Sequence, residues 1–196
     1  MSNYRRAKTP GATYFFTVVT HQRQPLFQIE CARTALRDAI HDVRQLLPFQ
    51  IDAWVLLPDH LHAIWTLPPG DADFSQRWSK IKRQTSRACR HLVNHTLLTP
   101  GQITDGEFGF WQRRFSEHQI RDDADFAAHA DYIHWNPVKH GLVKSVGDWP
   151  HSTFHRFLAN RKYTGDWTFT ERESNVEFGE QVGGQVRPTM RIGTIT

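Results

Sequence analysis

A hydrophobic segment over residues 50–67 constrains the fold most, because it contains two strand-forming runs separated by Pro58-Asp59. Runs rich in aromatic and β-branched residues predict β-strands, and a short break between two of them predicts an antiparallel hairpin. The second run begins with His60 and His62. Side chains two residues apart on a strand project from the same face, so we expect the two imidazoles to lie close enough to bind one metal ion. The alternative is a pair of half-exposed strand histidines that bind no ligand.

The rest of the chain alternates between strand and helix patterns. Residues 13–20 predict a first strand, and residues 116–121 predict a weak last one. Apolar residues at helical spacing predict three helices, over residues 30–47, 74–92 and about 122–135. Pro137 is expected to end the third helix, since the residue before a proline disfavours the helical conformation. This order predicts an α+β fold, a ferredoxin-like βαββαβ antiparallel sheet with helices on one face, plus an added helix.

The composition fits one globular domain with a tail. Hydrophobic residues make up 39% of the 196 residues, with 13 Phe and 7 Trp, which is enough to bury a core. Aliphatic content falls past residue 160, so we predict a domain over residues 1–160 and a mobile tail over residues 161–196. The two cysteines are far apart, which argues against a disulfide scaffold or a zinc finger and fits a reducing cytoplasm. The sequence shows neither a signal peptide nor an apolar run long enough to span a membrane.

Positive charge exceeds negative charge, with 24 Lys and Arg against 20 Asp and Glu. On the second predicted helix, Lys80, Arg83 and Arg87 fall opposite the apolar stripe. Arg113 and Arg114 stand between aromatic residues, a mixture that suits phosphate contact and base stacking. The candidate DNA contacts are Arg5, Arg6, Lys80, Arg83, Arg87, Arg113 and Arg114. The alternative for these groups is an ordinary solvated surface and a solvated chain end.

A second polar constellation lies in the third predicted helix. Tyr132 and Asn136 are four residues apart, which places them on one helix face. A phenol and an amide oxygen that face the histidine pair would form a site with one nucleophile and three metal ligands. A core tyrosine is the alternative for Tyr132, and an N-cap before Pro137, at the start of a further short helix, is the alternative for Asn136. His134 and His140 are favoured as structural or surface groups over a proton relay.

His60-Leu61-His62 resembles the His-hydrophobe-His motif of single-strand DNA nucleases. Three blocks of sequence resemble, in the same order, the REP-associated tyrosine transposases, which are relatives of the single-tyrosine insertion-sequence transposases: residues 53–65, 131–143 and 148–154. The resemblance covers roughly residues 4–157, and three ordered blocks are far more specific than the histidine pair alone. The chain departs from the family pattern in a long segment over residues 94–110 and at Ser116, where a large aromatic residue is usual.

The resemblance implies a metal-dependent single-stranded DNA endonuclease and strand transferase, with Tyr132 on the added helix as the nucleophile that forms a 5′-phosphotyrosine intermediate. His60, His62 and Asn136 would hold a divalent metal, Mg²⁺ or Mn²⁺. The implied substrate is a repetitive extragenic palindrome, a DNA hairpin flanked by a short single-stranded guide sequence. The implied location is the cytoplasm, at the nucleoid, and the resemblance is compatible with a monomer or a homodimer.

Two other functions remain open from the residues. The first is a DNA-binding protein of repetitive palindromes whose catalytic site is vestigial, and the intact His60, His62 and Tyr132 argue against it. The second is a zinc hydrolase in which a metal-bound water attacks the substrate and Tyr132 is dispensable.

Overall fold

A computed structural model describes residues 9–93, 109–164 and 167. The strands and helices of these residues are, in chain order, β1 (Thr13–Val19), α1 (Glu30–Leu46), β2 (Gln50–Leu56), β3 (His60–Thr66), α2 (Phe74–Ala88), β4 (Ser116–Gln119), α3 (Asp123–Lys139) and α4 (Phe154–Ala159). Three predicted features lie outside the described residues: the candidate DNA contacts Arg5 and Arg6 near the N-terminus, most of the long segment over residues 94–110, and most of the tail.

The four strands form one sheet in the order β2-β3-β1-β4, and every neighbouring pair is antiparallel. This confirms the ferredoxin-like topology, in which β3 lies between β1 and β2. The predicted hairpin turns through Pro58-Asp59, and the Leu57 amide donates a 2.8 Å hydrogen bond to the His60 carbonyl at its closed end. The hairpin therefore holds His60 at the first position of a central strand.

Helices α1 and α2 pack side by side on one face of the sheet. The apolar side of α1 buries a stripe at helical spacing, Ala32, Leu36, Ala39 and Val43. From α2, Trp78 stacks on Trp65 of β3, with ring centroids 4.1 Å apart and an interplanar angle of 16°. Aromatic pairs of this kind bury large apolar areas, at roughly 25 cal/mol per Å². This core packs against one face of the sheet, and His60 and His62 project from the other face.

Helix α3 covers the opposite face of the sheet. Its Ile133 belongs to a second apolar cluster with Phe15, Val55 and Ile64. Because side chains alternate along β3, His60 and His62 project on the same side as Ile64 and face this helix. The structure therefore confirms an added helix, outside the two-helix layer, that carries Tyr132.

The prediction that Pro137 ends the third helix is wrong, because α3 continues to Lys139. Proline removes one helical hydrogen bond, ordinarily at a cost of about 3 kcal/mol. Here Asn136 and Pro137 are both buried, and this tertiary burial offsets the cost. Gly141 caps the C-terminal end of α3. Its positive φ of 67° allows its amide to donate to the Val138 carbonyl, and the Leu142 amide donates to the Pro137 carbonyl. Asn136 is thus an interior helical residue, and the N-cap alternative is also wrong.

The outer edge of β2 is covered by the chain that precedes α4. The Leu56 amide donates to the carbonyl of His151, and the Thr153 amide donates to the carbonyl of Trp54, each at 2.9 Å. Such cover protects an edge strand from pairing with other chains. Among the described residues, no helix combines the length and apolar character that a membrane span requires.

Chain beyond the predicted boundary at residue 160 still contacts the domain. The ring of Tyr163 packs against Phe157 at 5.3 Å and against Trp167 at 4.5 Å, both between ring centroids. Its hydroxyl donates a 2.6 Å hydrogen bond to Asp131. The division into residues 1–160 and 161–196 remains a prediction.

Candidate active site

His60 and His62 lie side by side on β3, facing α3, as predicted. Both are buried, and their ring centroids are 5.0 Å apart at 84°. The Nδ1 atom of each ring is held by a neighbour: Asp59 lies 2.6 Å from that of His60, and the Thr17 hydroxyl lies 2.9 Å from that of His62. Partners at one ring nitrogen fix the orientation of the other, as they do in metal-binding histidines. The predicted alternative of half-exposed histidines is therefore wrong.

Asp59 joins the histidine pair to a cation. Its second carboxylate oxygen accepts a 3.0 Å hydrogen bond from Arg23. Burial raises the pKa of Asp59, but the hydrogen bonds and charges of His60 and Arg23 outweigh it and hold this pKa below its ordinary value. Asp59 is therefore an anion that orients His60, a role that the sequence analysis missed although the residue adjoins the motif.

Tyr132 places its ring against His62, with centroids 5.2 Å apart at 67°. Phe15 contacts both rings, at 5.5 Å from His62 and 6.2 Å from Tyr132. The ammonium of Lys139 donates a 3.1 Å hydrogen bond to the phenol oxygen and lies 4.7 Å from the ring centroid. The structure thus brings the predicted nucleophile to the histidine pair and adds Lys139, which could be found only once α3 was known to continue past Pro137.

Asn136 lies one turn after Tyr132 on the same side of α3 and is fully buried. Its side-chain nitrogen donates to the Tyr132 carbonyl at 3.4 Å. Its side-chain oxygen is buried and has no hydrogen-bond partner among the described residues. A buried acceptor without a partner is costly in the folded protein, and a carboxamide oxygen is a good ligand for a hard divalent cation. This oxygen fits the predicted role of third metal ligand.

A further polar cluster lies behind Phe15, where His118 of β4 meets Asp125 and His129 of α3. Their potential ligating atoms all lie within 4.8 Å of one another, so the cluster is a possible metal site. However, Asp125 already accepts hydrogen bonds from His118 at 2.9 Å and from the Arg121 side chain at 3.1 Å. Burial raises the pKa of Asp125, but Arg121 and His118 outweigh it and hold this pKa well below its ordinary value. The contacts favour an ion-paired cluster that ties β4 to α3.

The predicted DNA contacts lie elsewhere in the fold. Lys80, Arg83 and Arg87 project from α2, which lies on the face of the sheet opposite Tyr132. Arg113 and Arg114 are also exposed. They lie next to α2, because Lys82 of this helix donates a 3.0 Å hydrogen bond to the Arg113 carbonyl. Five of the seven candidates thus form one basic surface, and the sheet separates it from the histidine pair. Arg5 and Arg6 lie outside the described residues.

Two further histidines, His134 within α3 and His140 directly after it, lie in different environments. His134 is fully buried and contacts the hydroxyls of Tyr163 and Thr153 at 3.0 and 2.9 Å. Burial lowers the pKa of His134 to about 3, so it is neutral and structural, as predicted. His140 is exposed but packs its ring against His60, with centroids 5.2 Å apart, so it borders the site.

Comparison with known proteins bears on this geometry. The model of the family described as "Transposase IS200 like" matches residues 8–136, which include both histidines, Tyr132 and Asn136. The chain belongs to the IS200-like transposase family. Membership confirms the predicted class of enzyme, one that cuts and joins DNA by transesterification, and it indicates dependence on a metal ion.

Comparison with individual relatives shows which members of the family this chain is most similar to among those compared. A REP-associated tyrosine transposase of Escherichia coli (strain K12) is 47% identical over 167 residues, which cover 85% of this chain and 91% of the relative. A relative from Haemophilus influenzae (strain ATCC 51907 / DSM 11121 / KW20 / Rd) is 41% identical over 171 residues, which cover 85% of this chain and 93% of the relative. A solved structure of a REP-associated tyrosine transposase bound to a REP hairpin superposes with a TM-score of 0.76, at 45% identity, over 93% of this chain and 99% of that one. The predicted resemblance to REP-associated tyrosine transposases is therefore confirmed.

Proposed function

We propose that this transposase cleaves and rejoins single-stranded DNA at repetitive extragenic palindromic hairpins, with Tyr132 as the nucleophile. The observation that carries the proposal is the position of the Tyr132 phenol, which lies against His62 and accepts a hydrogen bond from Lys139 in one site. A zinc hydrolase would give no reason for a tyrosine and a lysine to meet at the histidine pair. Action on chromosomal repeats would place the protein in the cytoplasm, at the nucleoid.

The reaction is a transesterification at phosphorus. The Tyr132 oxygen forms a bond to a backbone phosphate while the bond from that phosphate to the 3′-oxygen breaks. The products are a 5′-phosphotyrosine and a free 3′-hydroxyl. A later attack by a 3′-hydroxyl on the phosphotyrosine reverses these bond changes and joins strands, so no external energy source is needed.

Lys139 assists Tyr132 in both directions. A phenol has an ordinary pKa of about 10 and is a weak nucleophile at neutral pH. An ammonium that donates to the phenol oxygen stabilises the deprotonated form, which is the form that attacks. The same form leaves when the phosphotyrosine is broken, so Lys139 contributes to cleavage and to joining.

His60, His62 and Asn136 are the residues that would hold the metal ion. Two imidazole nitrogens and one amide oxygen suit Mn²⁺, and Mg²⁺ is the alternative, since it prefers oxygen ligands. The buried oxygen of Asn136, which has no hydrogen-bond partner among the described residues, supports this set, whereas at Asp125 the Oδ2 atom already accepts hydrogen bonds from Arg121 and His118. The ion would stabilise charge on the scissile phosphate and fix its orientation.

The substrate is inferred from the relatives, one of which is described as bound to a REP hairpin. The basic surface of α2 supports this inference, because a run of like charges favours the phosphate backbone of DNA. Its proposed contacts are Lys80, Arg83, Arg87, Arg113 and Arg114, together with Arg5 and Arg6 of the N-terminal arm. This surface would grip the hairpin by backbone shape and charge.

The test uses single-stranded DNA that carries a palindromic hairpin with unpaired flanks from the host genome, with Mg²⁺ or Mn²⁺. Wild type and Tyr132→Phe are compared on a denaturing gel that resolves protein–DNA adducts. We expect an adduct and a cleaved strand with wild type and neither with the variant. Tight hairpin binding without cleavage by either protein would instead favour the vestigial DNA-binding alternative.

A further inference from the structure

The loop between β1 and α1, residues 20–29, contains two strained residues. Gln22 and Arg23 have positive φ angles of 51° and 52°. This left-handed region is unfavourable for residues with a side chain, because Cβ crowds the following carbonyl oxygen. Such conformations persist where surrounding contacts impose them, and they concentrate at functional sites. Two in succession indicate that the β1–α1 loop is shaped to place a side chain.

The β1–α1 loop is bonded to the hairpin turn that precedes His60. The Thr20 amide donates to the Asp59 carbonyl at 2.8 Å, and the Phe27 amide donates to the Pro58 carbonyl at 2.9 Å. The Thr20 hydroxyl also lies 2.8 Å from the Asp59 carbonyl oxygen. Thr20 and Phe27 are both buried. The two strained residues lie between these two anchors, so their position relative to the turn is fixed.

The side chain of Arg23 meets the Asp59 carboxylate at this junction. Nη1 of Arg23 donates to Oδ2 at 3.0 Å, and Oδ1 of the same carboxylate lies 2.6 Å from Nδ1 of His60. The side chains of Arg23 and Asp59 are 26% and 22% exposed, and that of His60 is 1% exposed. An ion pair with this exposure adds little to stability. Its effect is geometric: because each oxygen has its own partner, the carboxylate cannot rotate without breaking a contact.

This carboxylate determines how His60 presents its other ring nitrogen. A carboxylate accepts hydrogen bonds, so Nδ1 of His60 carries the hydrogen and Nε2 keeps the lone pair that a metal ion needs. Groups that lie behind a ligating histidine in this way set its ring orientation and the affinity of the site. The equivalent place behind His62 is taken by the neutral Thr17 hydroxyl, at 2.9 Å. His60 therefore depends on a charged pair for its orientation.

We propose that Arg23 is a positioning residue of the metal site, which holds the Asp59 carboxylate in the orientation that aligns His60. This inference rests on the proposed function, because it concerns the same metal ligands. Without the guanidinium, the carboxylate gains rotational freedom, and the imidazole that it aligns gains freedom with it. Affinity for the metal ion then falls although every ligand is still present. The strain at Gln22 and Arg23 is a consequence of this placement.

A direct contact between Arg23 and a DNA phosphate is the alternative, since its guanidinium is partly exposed. The position of Asp59 disfavours it. Oδ2 of Asp59 lies 3.0 Å from the guanidinium, so a phosphate bound there would lie close to a second negative charge. The two roles differ in what they predict: a positioning residue changes affinity for the metal ion, and a phosphate contact changes affinity for DNA.

The test measures Mn²⁺ affinity by isothermal titration calorimetry, with the full chain and no DNA. We expect Arg23→Gln to weaken Mn²⁺ binding about tenfold, because loss of a group that supports a ligating histidine has an effect of this order. Arg23→Lys keeps a cationic donor and is expected to restore part of the affinity. Arg23→Gly is expected to weaken binding as Arg23→Gln does and to fold normally, since glycine suits the left-handed backbone. Thermal unfolding of each variant checks the fold.

The matched control is Arg33→Gln. Arg33 donates to the carbonyls of Phe27 and Gln28 at 2.8 Å each, so this variant removes an arginine that supports the same loop and leaves the pair of Arg23 and Asp59 in place. We expect its Mn²⁺ affinity to equal that of wild type. A double-mutant cycle tests whether Arg23 acts through the carboxylate: with Asp59→Asn already present, Arg23→Gln should cause little further loss.

Three results would overturn the inference while leaving the proposed function intact. These are an unchanged Mn²⁺ affinity in Arg23→Gln, an equal loss in Arg33→Gln, and a full further loss from Arg23→Gln in the presence of Asp59→Asn. Reduced hairpin affinity in Arg23→Gln together with unchanged Mn²⁺ affinity would assign Arg23 to phosphate contact. Wild-type protein that binds no Mn²⁺ would overturn both the metal ligands and this inference, whereas normal Mn²⁺ binding without a covalent adduct would overturn the role of Tyr132 alone.

Discussion

The ammonium nitrogen of Lys139 lies 3.1 Å from the phenol oxygen of Tyr132, which stands two turns earlier on the same helix. This contact exists only because α3 continues through Pro137. We expect Lys139→Gln to slow formation of the covalent adduct on the order of tenfold to a hundredfold, because the attacking oxygen loses its cationic donor. Affinity for the hairpin should stay nearly constant.

The control for this prediction is Lys144→Gln, which removes the same charge from an exposed residue beyond the helix. Single-turnover adduct formation with saturating DNA measures the chemical step for both variants. Lys139→Arg is expected to restore part of the rate. Equal rates for wild type and Lys139→Gln would show that the contact has no part in the chemistry.

Asn136 is expected to support cleavage as a metal ligand and to lower the stability of the metal-free fold. Its buried side-chain oxygen has no hydrogen-bond partner among the described residues, so Asn136→Leu should raise the Tm measured without metal, by about 2–4 °C for each kcal/mol of relieved desolvation. The same variant should lose cleavage. Thermal unfolding in the presence of a chelator, together with the adduct assay, measures both effects. Asn136→Asp keeps an oxygen ligand and should retain cleavage, and a Leu variant that cleaves normally would exclude Asn136 as a ligand.

Thr17 orients His62 through a 2.9 Å contact between its hydroxyl and Nδ1. Thr17→Val keeps the shape of the side chain and removes this partner. Loss of such an orienting group costs about 10- to 100-fold in metal affinity or activity, so a higher Mn²⁺ concentration should be needed for half-maximal cleavage. A titration of cleavage against Mn²⁺ checks this, with Thr13→Val as the control, because the Thr13 hydroxyl bonds Thr66 at the far end of the same strand. An unchanged Mn²⁺ requirement would contradict the assignment.

Because His134 is buried in its neutral form, we expect the folded protein to lose stability in acid. Its pKa falls from 6.5 to about 3 on burial, so the unfolded chain binds a proton that the folded protein does not bind. The free energy of unfolding should therefore decrease as pH falls from 6.5 towards 3, by about 1.4 kcal/mol per pH unit from this group. Urea unfolding at several pH values measures the slope, and His134→Gln should flatten it. A variant with the same slope as wild type would assign the acid sensitivity to other groups.

Much of this architecture was predictable because the periodic segments are strongly patterned. The hairpin that carries His60 and His62 has two strand-forming runs and a Pro-Asp turn, so the pairing and the shared face of the two histidines followed from the sequence, whereas the register shift between Ile51 and Ala53 did not. The extent of α3 did not follow, because a proline normally ends a helix, and the burial of Asn136 and Pro137 that offsets this preference is a property of the tertiary fold.

Long-range placement was also beyond the sequence. The charges of α2 were predicted as phosphate contacts, and only the fold shows that they occupy the face of the sheet opposite Tyr132.

The most direct measurement is the identity of the residue that becomes covalently attached to DNA. Wild-type protein is incubated with the flanked hairpin and Mn²⁺, the adduct is digested with nuclease and protease, and the modified peptide is sequenced by mass spectrometry. The account predicts a nucleotide 5′-phosphate on Tyr132 and a free 3′-hydroxyl on the released strand. A phosphate on Tyr163 or another residue, or cleavage that persists in Tyr132→Phe, would contradict it.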